Sequence, residues 1–363
     1  MSDDRSVEEQ ERDRAQRAHI ATIKRRERLD GCIESVWLKY QLLAHFAQEG
    51  SAEQREFERL RRHHADVQKR IDELSTEEQE QILAEYPKLA ARLRAEHDPA
   101  ARDRSLAPEQ LERAVQARIA DLTPTEVPVR SPGERPRVAF LAGQPGIGKT
   151  SAQKFARGGL GGSRIALYDG DDNAKVHPHY EAIAREYEHD GHHIADRQLP
   201  GDARQRYLHH LRGGATKYDV IVSHPLGNKE IAENWVRGFA DEGYNVAVAF
   251  MAAHESLSLQ GIAERYQVSR DEYGYGRWVE RATHDRFYAA IPDVAHHLES
   301  HGLVDSMHVA TRDGDRLYEN HRGADGRMAD PLGAREAIVA ERSRPLTRAE
   351  AEYFDSRAAY LNG

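Results

Sequence analysis

Apolar residues recur at every third or fourth position through much of the first 122 residues, a spacing that places them on one face of a helix. The first stripe contains Leu29, Ile33, Val36, Trp37, Tyr40, Leu43 and Phe46, and further stripes lie within 57–74, 82–86 and 111–122. Ser75 and Glu78 fit a capping box before the third helix, and Pro87 is expected to bend or end it. Residues 5–28, rich in Arg and Glu, form either an exposed helix or a disordered arm.

The pattern changes after residues 123–136, whose four prolines predict a linker. Beyond it, short apolar runs alternate with stretches long enough for a crossover helix, which is typical of an α/β domain with a mainly parallel sheet. The runs are Val138–Ala142, Ile165–Tyr168, Val220–Val222, Val246–Met251 and Met307–Ala310. The tail from about residue 331 to 363 is expected to be helical again, with a second capping box at Thr347 and Glu350.

Composition narrows the class of protein. The chain has 363 residues, enough for two domains, and a net charge of −9 with acidic and basic residues interleaved, so we do not expect it to bind nucleic acid. Its longest apolar run, Val246 to Ala253, is far shorter than the roughly 20 residues that span a bilayer, and the N-terminus lacks the apolar core of a signal peptide. We therefore expect a cytoplasmic protein with no membrane contact. Cys32 is the only cysteine, so no disulfide within the chain is expected.

The strongest motif is a phosphate-binding loop, GxxxxGK[ST], directly after the first predicted strand. The candidates for nucleotide binding are Gly143, Gln144, Pro145, Gly146, Ile147, Gly148, Lys149, Thr150 and Ser151. Glycine lets such a loop point its backbone N–H groups at phosphate, and the following helix adds positive potential. We expect Lys149 to reach the β- and γ-phosphates of ATP or GTP, and Thr150 to bind Mg²⁺.

A second cluster, Asp169-Gly170-Asp171, follows the second predicted strand. It therefore lies at the carboxyl edge of the sheet, where α/β proteins bind ligands. The two carboxylates can divide the work of phosphoryl transfer: Asp169 organises Mg²⁺, and Asp171 takes the proton from an acceptor hydroxyl. The alternative is an acidic turn whose aspartates only cap a helix.

Two arginines are candidates for stabilising the transition state. Arg265 lies on the helix predicted after the fourth strand, and Arg277 follows a Gly-Tyr-Gly hinge at 274–276. Phosphoryl transfer spreads negative charge over three oxygens, which arginine on a mobile lid can neutralise. The alternative is that both arginines are solvated surface residues.

In this order, these motifs resemble the zeta toxin family of P-loop kinases. The resemblance covers roughly residues 136–320 and includes GQPGIGKT, YDGDDNAKVHPHY, GIAERY around Arg265, Arg277 followed by His284-Asp285, and RDGDRLY. Kinases of this family phosphorylate a hydroxyl of UDP-N-acetylglucosamine with ATP or GTP, and an antitoxin holds them in check. The resemblance implies that Lys149, Asp171, Arg265 and Arg277 form the catalytic set.

The match is less complete on the acceptor side. After the third strand the family has an acidic residue and a threonine that contact the sugar nucleotide, where this chain has Val222-Ser223-His224-Pro225, and a family glutamate falls at Tyr207. Asp171, His177 and Ser223 are the candidates for acceptor binding. UDP-N-acetylglucosamine is the expected acceptor, with another nucleotide-like molecule such as NAD as an alternative. A non-catalytic, nucleotide-gated interaction protein is the rival interpretation from another class.

The predicted architecture is a P-loop kinase-type α/β fold, a mainly parallel sheet flanked by helices, over residues 137–330. An all-α helical domain (1–122) and a Pro-rich linker (123–136) precede it, and a helical tail (331–363) follows. The family does not require residues 1–122. We expect them to be either an antitoxin in cis or an adaptor or dimerisation module, and a separate antitoxin chain, acting in trans, is the other partner that the resemblance allows. If these residues inhibit, one of their side chains should enter the nucleotide cleft near Lys149.

Overall fold

The computed structural model describes residues 7–97, 106–149, 152, 153, 156 and 164–362. The helices before the linker are α1 (Val7–Phe46), α2 (Ala52–Lys69), α3 (Thr76–His97) and α4 (Pro108–Leu122). The charged segment that precedes the first apolar stripe is helical from Val7 onward, which agrees with the helical alternative. Helix α3 continues through Pro87, so the proline does not end it.

Helices α1, α2 and α3 pack against one another through the apolar stripes. One cluster contains Leu29, Cys32, Ile33, Val67, Ile71 and Ile82, and a second contains Val36, Tyr40, Leu43, Ala90 and Leu93. The predicted capping box is formed: the backbone N–H of Ser75 donates to the Glu78 carboxylate, and the backbone N–H of Glu78 donates to the Ser75 hydroxyl. Burial of these stripes is what stabilises the three helices.

Helix α4 packs on the α/β part of the molecule. Its side chains Val115 and Leu122 are buried in the same apolar cluster as Tyr207 and Leu211, which belong to a helix between the second and third strands. The linker is attached as well, because Arg130 pairs with Asp219 at 2.8 Å. Helix α4 is therefore part of the main core, and the linker is fixed to the third strand by an ion pair.

The sheet has six strands in the order β2-β3-β1-β4-β5-β6. The strands are β1 (Arg137–Ala142), β2 (Ile165–Asp169), β3 (Asp219–Ser223), β4 (Asn245–Ala252), β5 (Ser306–Thr311) and β6 (Arg316–His321). All neighbours are parallel except β6, which is antiparallel to β5. Each apolar run of the sequence forms a strand, and the predicted fold class is confirmed. The apolar pattern missed β6 because this edge strand has a single buried position.

The remaining helices connect and follow the strands. They are α5 (Tyr180–Tyr187), α6 (Gly191–Gln198), α7 (Ala203–Gly213), α8 (Lys229–Ala240), α9 (Glu255–Tyr273), α10 (Arg281–Ser300), α11 (Ala334–Ser343) and α12 (Arg348–Asn362), with a 3-10 helix at Gly170–Val176. Among the helices that the structure describes, none is long and apolar enough to cross a membrane. The second predicted capping box also forms, since the backbone N–H of Glu350 donates to the Thr347 hydroxyl at 3.2 Å.

The register of the sheet brings the candidate residues to one edge. Leu141 and Asp169 both lie opposite Ser223, and Ala142 lies opposite Phe250. Because these strands are parallel, the segments that leave β1, β2 and β4 start from the same edge of the sheet. This edge positions the phosphate-binding loop beside the aspartate cluster.

We expect Leu122→Ala to destabilise the whole α/β part, because the side chain is 2 % exposed and lies in the main core. A buried Leu→Ala change costs about 2–5 kcal/mol, whereas the same change at Leu317, which is 40 % exposed, should cost less than about 0.5 kcal/mol. Thermal unfolding of the full chain measures both. Equal melting temperatures for the two variants would contradict the placement of α4 in this core.

Candidate active site

The segment after β1 has the backbone of a phosphate-binding loop. Gly143, Gly146 and Gly148 have φ angles of 144°, 77° and 87°, a region that favours glycine. A Cβ atom on Gly146 would lie 2.0 Å from the carbonyl oxygen of Ser258, on α9. The loop is therefore pressed against α9, and glycine is required at this position for space as well as for conformation.

Lys149 lies directly after the loop and folds back over it. Its Nζ donates to the carbonyl oxygen of Gly143 at 3.3 Å. Pro145 lines the cleft beside the loop, and Ile147 is fully buried beneath it. Thr150 and Ser151 lie outside the described residues, so their expected contacts with metal and nucleotide stay predictions.

The aspartate cluster reaches the same cleft from the end of β2. The Asp169 carboxylate accepts a hydrogen bond from the backbone N–H of Asp171 at 2.9 Å and so caps the 3-10 helix. Asp169 and Asp171 both line the cleft. Capping is therefore one role of Asp169, but it does not account for the position of either carboxylate beside Lys149.

Both candidate arginines face these carboxylates. Arg277 forms an ion pair with Asp171, which joins the segment after α9 to the aspartate cluster. Arg265, on α9, is accessible to solvent within the cleft, and the charges that act on it include Asp169. The sequence candidates Lys149, Asp169, Asp171, Arg265 and Arg277 thus meet in one place.

Burial is the main cause of the pKa shifts in the site. Burial lowers the pKa of Lys149 to about 8; Asp169 opposes this shift, and Arg265 and Arg277 add to it. Burial likewise lowers the pKa of Arg277 to about 10. Burial, together with the neighbouring Asp172, raises the pKa of Asp169 to about 6. Each shift disfavours the charged form, because the neighbouring opposite charges do not fully offset the cost of burial.

Two acceptor candidates lie away from the cleft wall. His177 is fully buried; its Nδ1 accepts from the backbone N–H of His179, and burial lowers its pKa to about 4. Ser223 is also buried, and its hydroxyl accepts from the Gln153 side chain at 2.9 Å. Gln153 itself lines the cleft, so Ser223 can act on a ligand only through a neighbour. Their assignment to acceptor binding stays a prediction.

Helix α1 forms a wall of the cleft, which has a volume of about 1110 Å³. Glu34 pairs with Lys175, four residues beyond Asp171, and Gln41 donates to the carbonyl oxygen of Lys175 at 2.9 Å. Lys24 pairs with the buried Glu264 on α9 at 2.8 Å. Side chains of α1 therefore line the same cleft as Lys149; that one of them lies close to Lys149 stays a prediction.

The sequence analysis did not identify several residues of the cleft as candidates. Lys175 pairs with Glu34 and lies 3.1 Å from the carboxylate of Asp172. Burial would lower the pKa of Lys175, but these two carboxylates outweigh it and raise the pKa well above its usual value. Arg118, on α4, lies 3.6 Å from Asp172, and Arg312 approaches Gly148. Lys175 and Arg312 stand within the segments YDGDDNAKVHPHY and RDGDRLY. In a chain with so many charged residues, however, a single basic residue does not by itself indicate a functional role.

The oxygen donors of the site fit a magnesium ion that arrives with a nucleotide. Within the described ranges, no group of three or more His, Cys, Asp or Glu is arranged to hold a metal by itself. Magnesium in nucleotide sites takes one or two carboxylates and completes its shell with phosphate and water. Asp169 offers such a carboxylate beside Lys149.

Comparison with known proteins agrees with this geometry. The family model described as Zeta toxin matches residues 121–322. The chain is 24 % identical over 191 residues to Toxin PezT of Streptococcus pneumoniae, covering 52 % of this chain and 73 % of that protein. It is 24 % identical over 188 residues to Toxin zeta of Streptococcus pyogenes, covering 52 % of this chain and 64 % of that protein.

A solved structure from the PezAT chromosomal toxin-antitoxin system of Streptococcus pneumoniae has the same fold, with a TM-score of 0.58 at 18 % identity. The match covers 71 % of this chain and 98 % of that chain. The family model matches more than half of this chain, over the segment that carries the phosphate-binding loop, the aspartate cluster and both arginines. The chain therefore belongs to the zeta toxin family.

Proposed function

We propose that this protein is a kinase that transfers the γ-phosphate of ATP or GTP to a hydroxyl of a nucleotide sugar such as UDP-N-acetylglucosamine. The observation that carries the proposal is the meeting of a complete phosphate-binding loop with Asp169, Asp171 and two arginines in one cleft. Positioning and charge neutralisation account for most of the catalysis of phosphoryl transfer. This cleft supplies both.

In the proposed reaction, the loop N–H groups and Lys149 hold the donor phosphates. Arg265 and Arg277 neutralise the charge that develops on the transferred group, and Asp171 accepts the proton of the attacking hydroxyl. Arg277 is paired with Asp171 in this structure. It must turn toward the phosphates before Asp171 can act as a base. Magnesium, held by Asp169 and Thr150, would supply further neutralisation of the β- and γ-phosphates.

Basic residues beside Asp171 support an anionic acceptor. Lys175 and Arg118 line the cleft on the side of the aspartate cluster. A diphosphate group recognised there would bring a sugar hydroxyl toward Asp171, and both UDP-sugars and NAD carry such a group. The decisive experiment incubates the full chain with labelled ATP and a panel of UDP-sugars, NAD and nucleosides. Transfer to a UDP-sugar supports the proposal, transfer to NAD alone changes the acceptor, and transfer to none favours the nucleotide-gated interaction protein.

We expect Lys149→Ala and Asp171→Asn to fail at different steps. Lys149→Ala removes a charged phosphate ligand and should weaken nucleotide binding by about 10- to 100-fold. Asp171→Asn should leave nucleotide affinity within about threefold and reduce transfer by about 10²- to 10⁴-fold. Binding titrations and product formation separate the two effects. Asp241→Asn, the same change at an exposed position outside the cleft, is the matched control. Transfer by Asp171→Asn at the rate of this control would remove Asp171 from the role of base.

The shifted pKa values predict a bell-shaped pH profile of kcat/KM for the nucleotide. Protonated Lys149 binds phosphate, so the rate should fall as the pH rises through about 8. Ionised Asp169 holds the metal, so the rate should fall as the pH drops through about 6. Lys149→Arg should move the alkaline limb upward, because arginine keeps its proton. An alkaline limb unchanged by this substitution would show that another group causes it.

We further propose that α1 restrains the kinase in cis. Glu27 and Glu34 are among the charges that act on Arg265, so α1 supplies the cleft with carboxylates where a substrate would supply phosphates. The α1 side chains Lys24 and Glu34 anchor the helix to both walls of the cleft, on Glu264 and Lys175. Withdrawal of α1 from these contacts would free the cations for substrate. An antitoxin in trans is the alternative source of inhibition.

Charge reversal at Lys24 tests the restraint in the full chain. Lys24→Glu places a carboxylate against the buried Glu264, so the part of α1 around Lys24 should move away from α9. The helix should stay packed on α2 and α3, and through Leu38 on Tyr273. We expect transfer to rise by at least about tenfold, which corresponds to a loss of about 1.4 kcal/mol of docking free energy. Lys88→Glu, the same change at an exposed position of α3, is the control. Equal rates for the two variants, with wild-type melting temperatures, would refute restraint by α1. Point substitution is preferable to deletion of 1–122, which would also remove Val115 and Leu122 from the main core.

A further inference from the structure

A buried arginine of the C-terminal tail contacts the phosphate-binding loop. Arg342, on α11, is 7 % exposed, and its Nη2 donates to the Oε1 atom of Gln144 at 2.8 Å. The amide nitrogen of the same Gln144 donates to the carbonyl oxygen of Ala253 at 3.1 Å. The fully buried Gln144 side chain therefore bridges the loop to the end of β4 on one side and to α11 on the other.

The surroundings of Arg342 hold its guanidinium in one orientation. Its Nη1 donates to the carbonyl oxygen of Tyr288 at 2.5 Å, and the guanidinium carbon lies 4.0 Å from the centroid of the Tyr288 ring. In the part of the chain that the structure describes, no carboxylate pairs with it. Burial lowers the pKa of Arg342 to about 10, so it remains charged at neutral pH.

Burying the Arg342 guanidinium costs free energy, so its contact with Gln144 is expected to have a specific role. A buried cation without an anionic partner loses more hydration free energy than neutral hydrogen bonds return, and an apolar side chain of similar size would pack at lower cost. Unlike an apolar side chain, a guanidinium has a rigid, planar set of N–H donors that can bind an amide and a carbonyl at the same time. The contact fixes the second residue of the loop, next to the N–H groups that would face phosphate.

We propose that Arg342 is a positioning residue for the phosphate-binding loop: by holding Gln144, it keeps the loop N–H groups in their binding geometry. The inference rests on the proposed function where it concerns nucleotide affinity, but not where it concerns the order of the loop. It assigns to the tail, which lies beyond the segment matched by the family model, a part in binding the donor nucleotide.

The order of the loop is measured by amide hydrogen exchange of residues 143–149 in the nucleotide-free full chain. Arg342→Met removes the donors and fills the space, and we expect exchange in the loop to become about tenfold faster. Arg344→Met is the matched control, since Arg344 lies one residue beyond α11 and pairs with Glu341 and Glu350. The control weakens the tail without touching the loop. Unchanged exchange in Arg342→Met, or equal acceleration in both variants, would overturn the proposal.

Nucleotide affinity provides the second readout. Arg342→Met and Gln144→Ala should each weaken binding of a non-hydrolysable ATP analogue by about tenfold, and the double variant should be no weaker than either single one, because both remove the same contact. Independent, multiplying effects would contradict action through Gln144. If Arg342→Met does not fold, Arg342→Lys takes its place in both measurements. Lysine keeps the charge but cannot form both hydrogen bonds in the same geometry. If the wild-type chain binds no nucleotide, the proposed function fails, and the exchange experiment alone decides on Arg342.

Discussion

Three cations placed close together beside the phosphate-binding loop are the constraint on which the arrangement of the site depends. Lys149, Arg265 and Arg277 lie close enough for the two arginines to lower the pKa of the lysine. Cations that repel one another at such short range are stable only where anions compensate them. Asp169 and Asp171 supply part of the compensation, and the phosphates of a nucleotide would supply the rest. The same three cations make the cleft wall a favourable place for acidic residues of α1, since Glu27 and Glu34 act on Arg265.

The elements around the cleft are tied together by buried polar contacts. Glu264, next to Arg265 on α9, accepts from Lys24 of α1 at 2.8 Å and from the hydroxyl of Tyr353 of α12 at 2.5 Å. Arg357, also on α12, lies 2.8 Å from the same carboxylate. Residues from both ends of the chain therefore meet on the helix that carries a candidate catalytic arginine. A change in the docking of α1 would be felt at Arg265 through this carboxylate and through Glu27 and Glu34, which act on Arg265 directly.

The sequence predicted the parts of this structure that rest on local chemistry. Glycines at 143, 146 and 148 have a local conformational reason, and each of the five predicted apolar runs forms a parallel strand. Sequence reasoning could not find contacts that depend on how distant elements pack. The pairing of Glu34 with Lys175 and the bridge from Arg342 to Gln144 join residues 141 and 198 positions apart. Lys175 and Gln144 stand in motifs, but no motif marks Glu34 or Arg342 as the partner. Helix α4 is another example, since an amphipathic stripe does not reveal which core it covers.

The direct test of the charge argument is the number of protons taken up when a nucleotide binds. At pH 8 the Lys149 amine, with a pKa of about 8, is about half protonated, and a phosphate bound beside it would raise its pKa. Calorimetric titration of a non-hydrolysable ATP analogue with Mg²⁺ into the full chain, in buffers of different ionisation enthalpy, measures this uptake. The account predicts an uptake of about half a proton at pH 8 that disappears in Lys149→Arg. Binding without proton uptake, or the same uptake in both proteins, would contradict it.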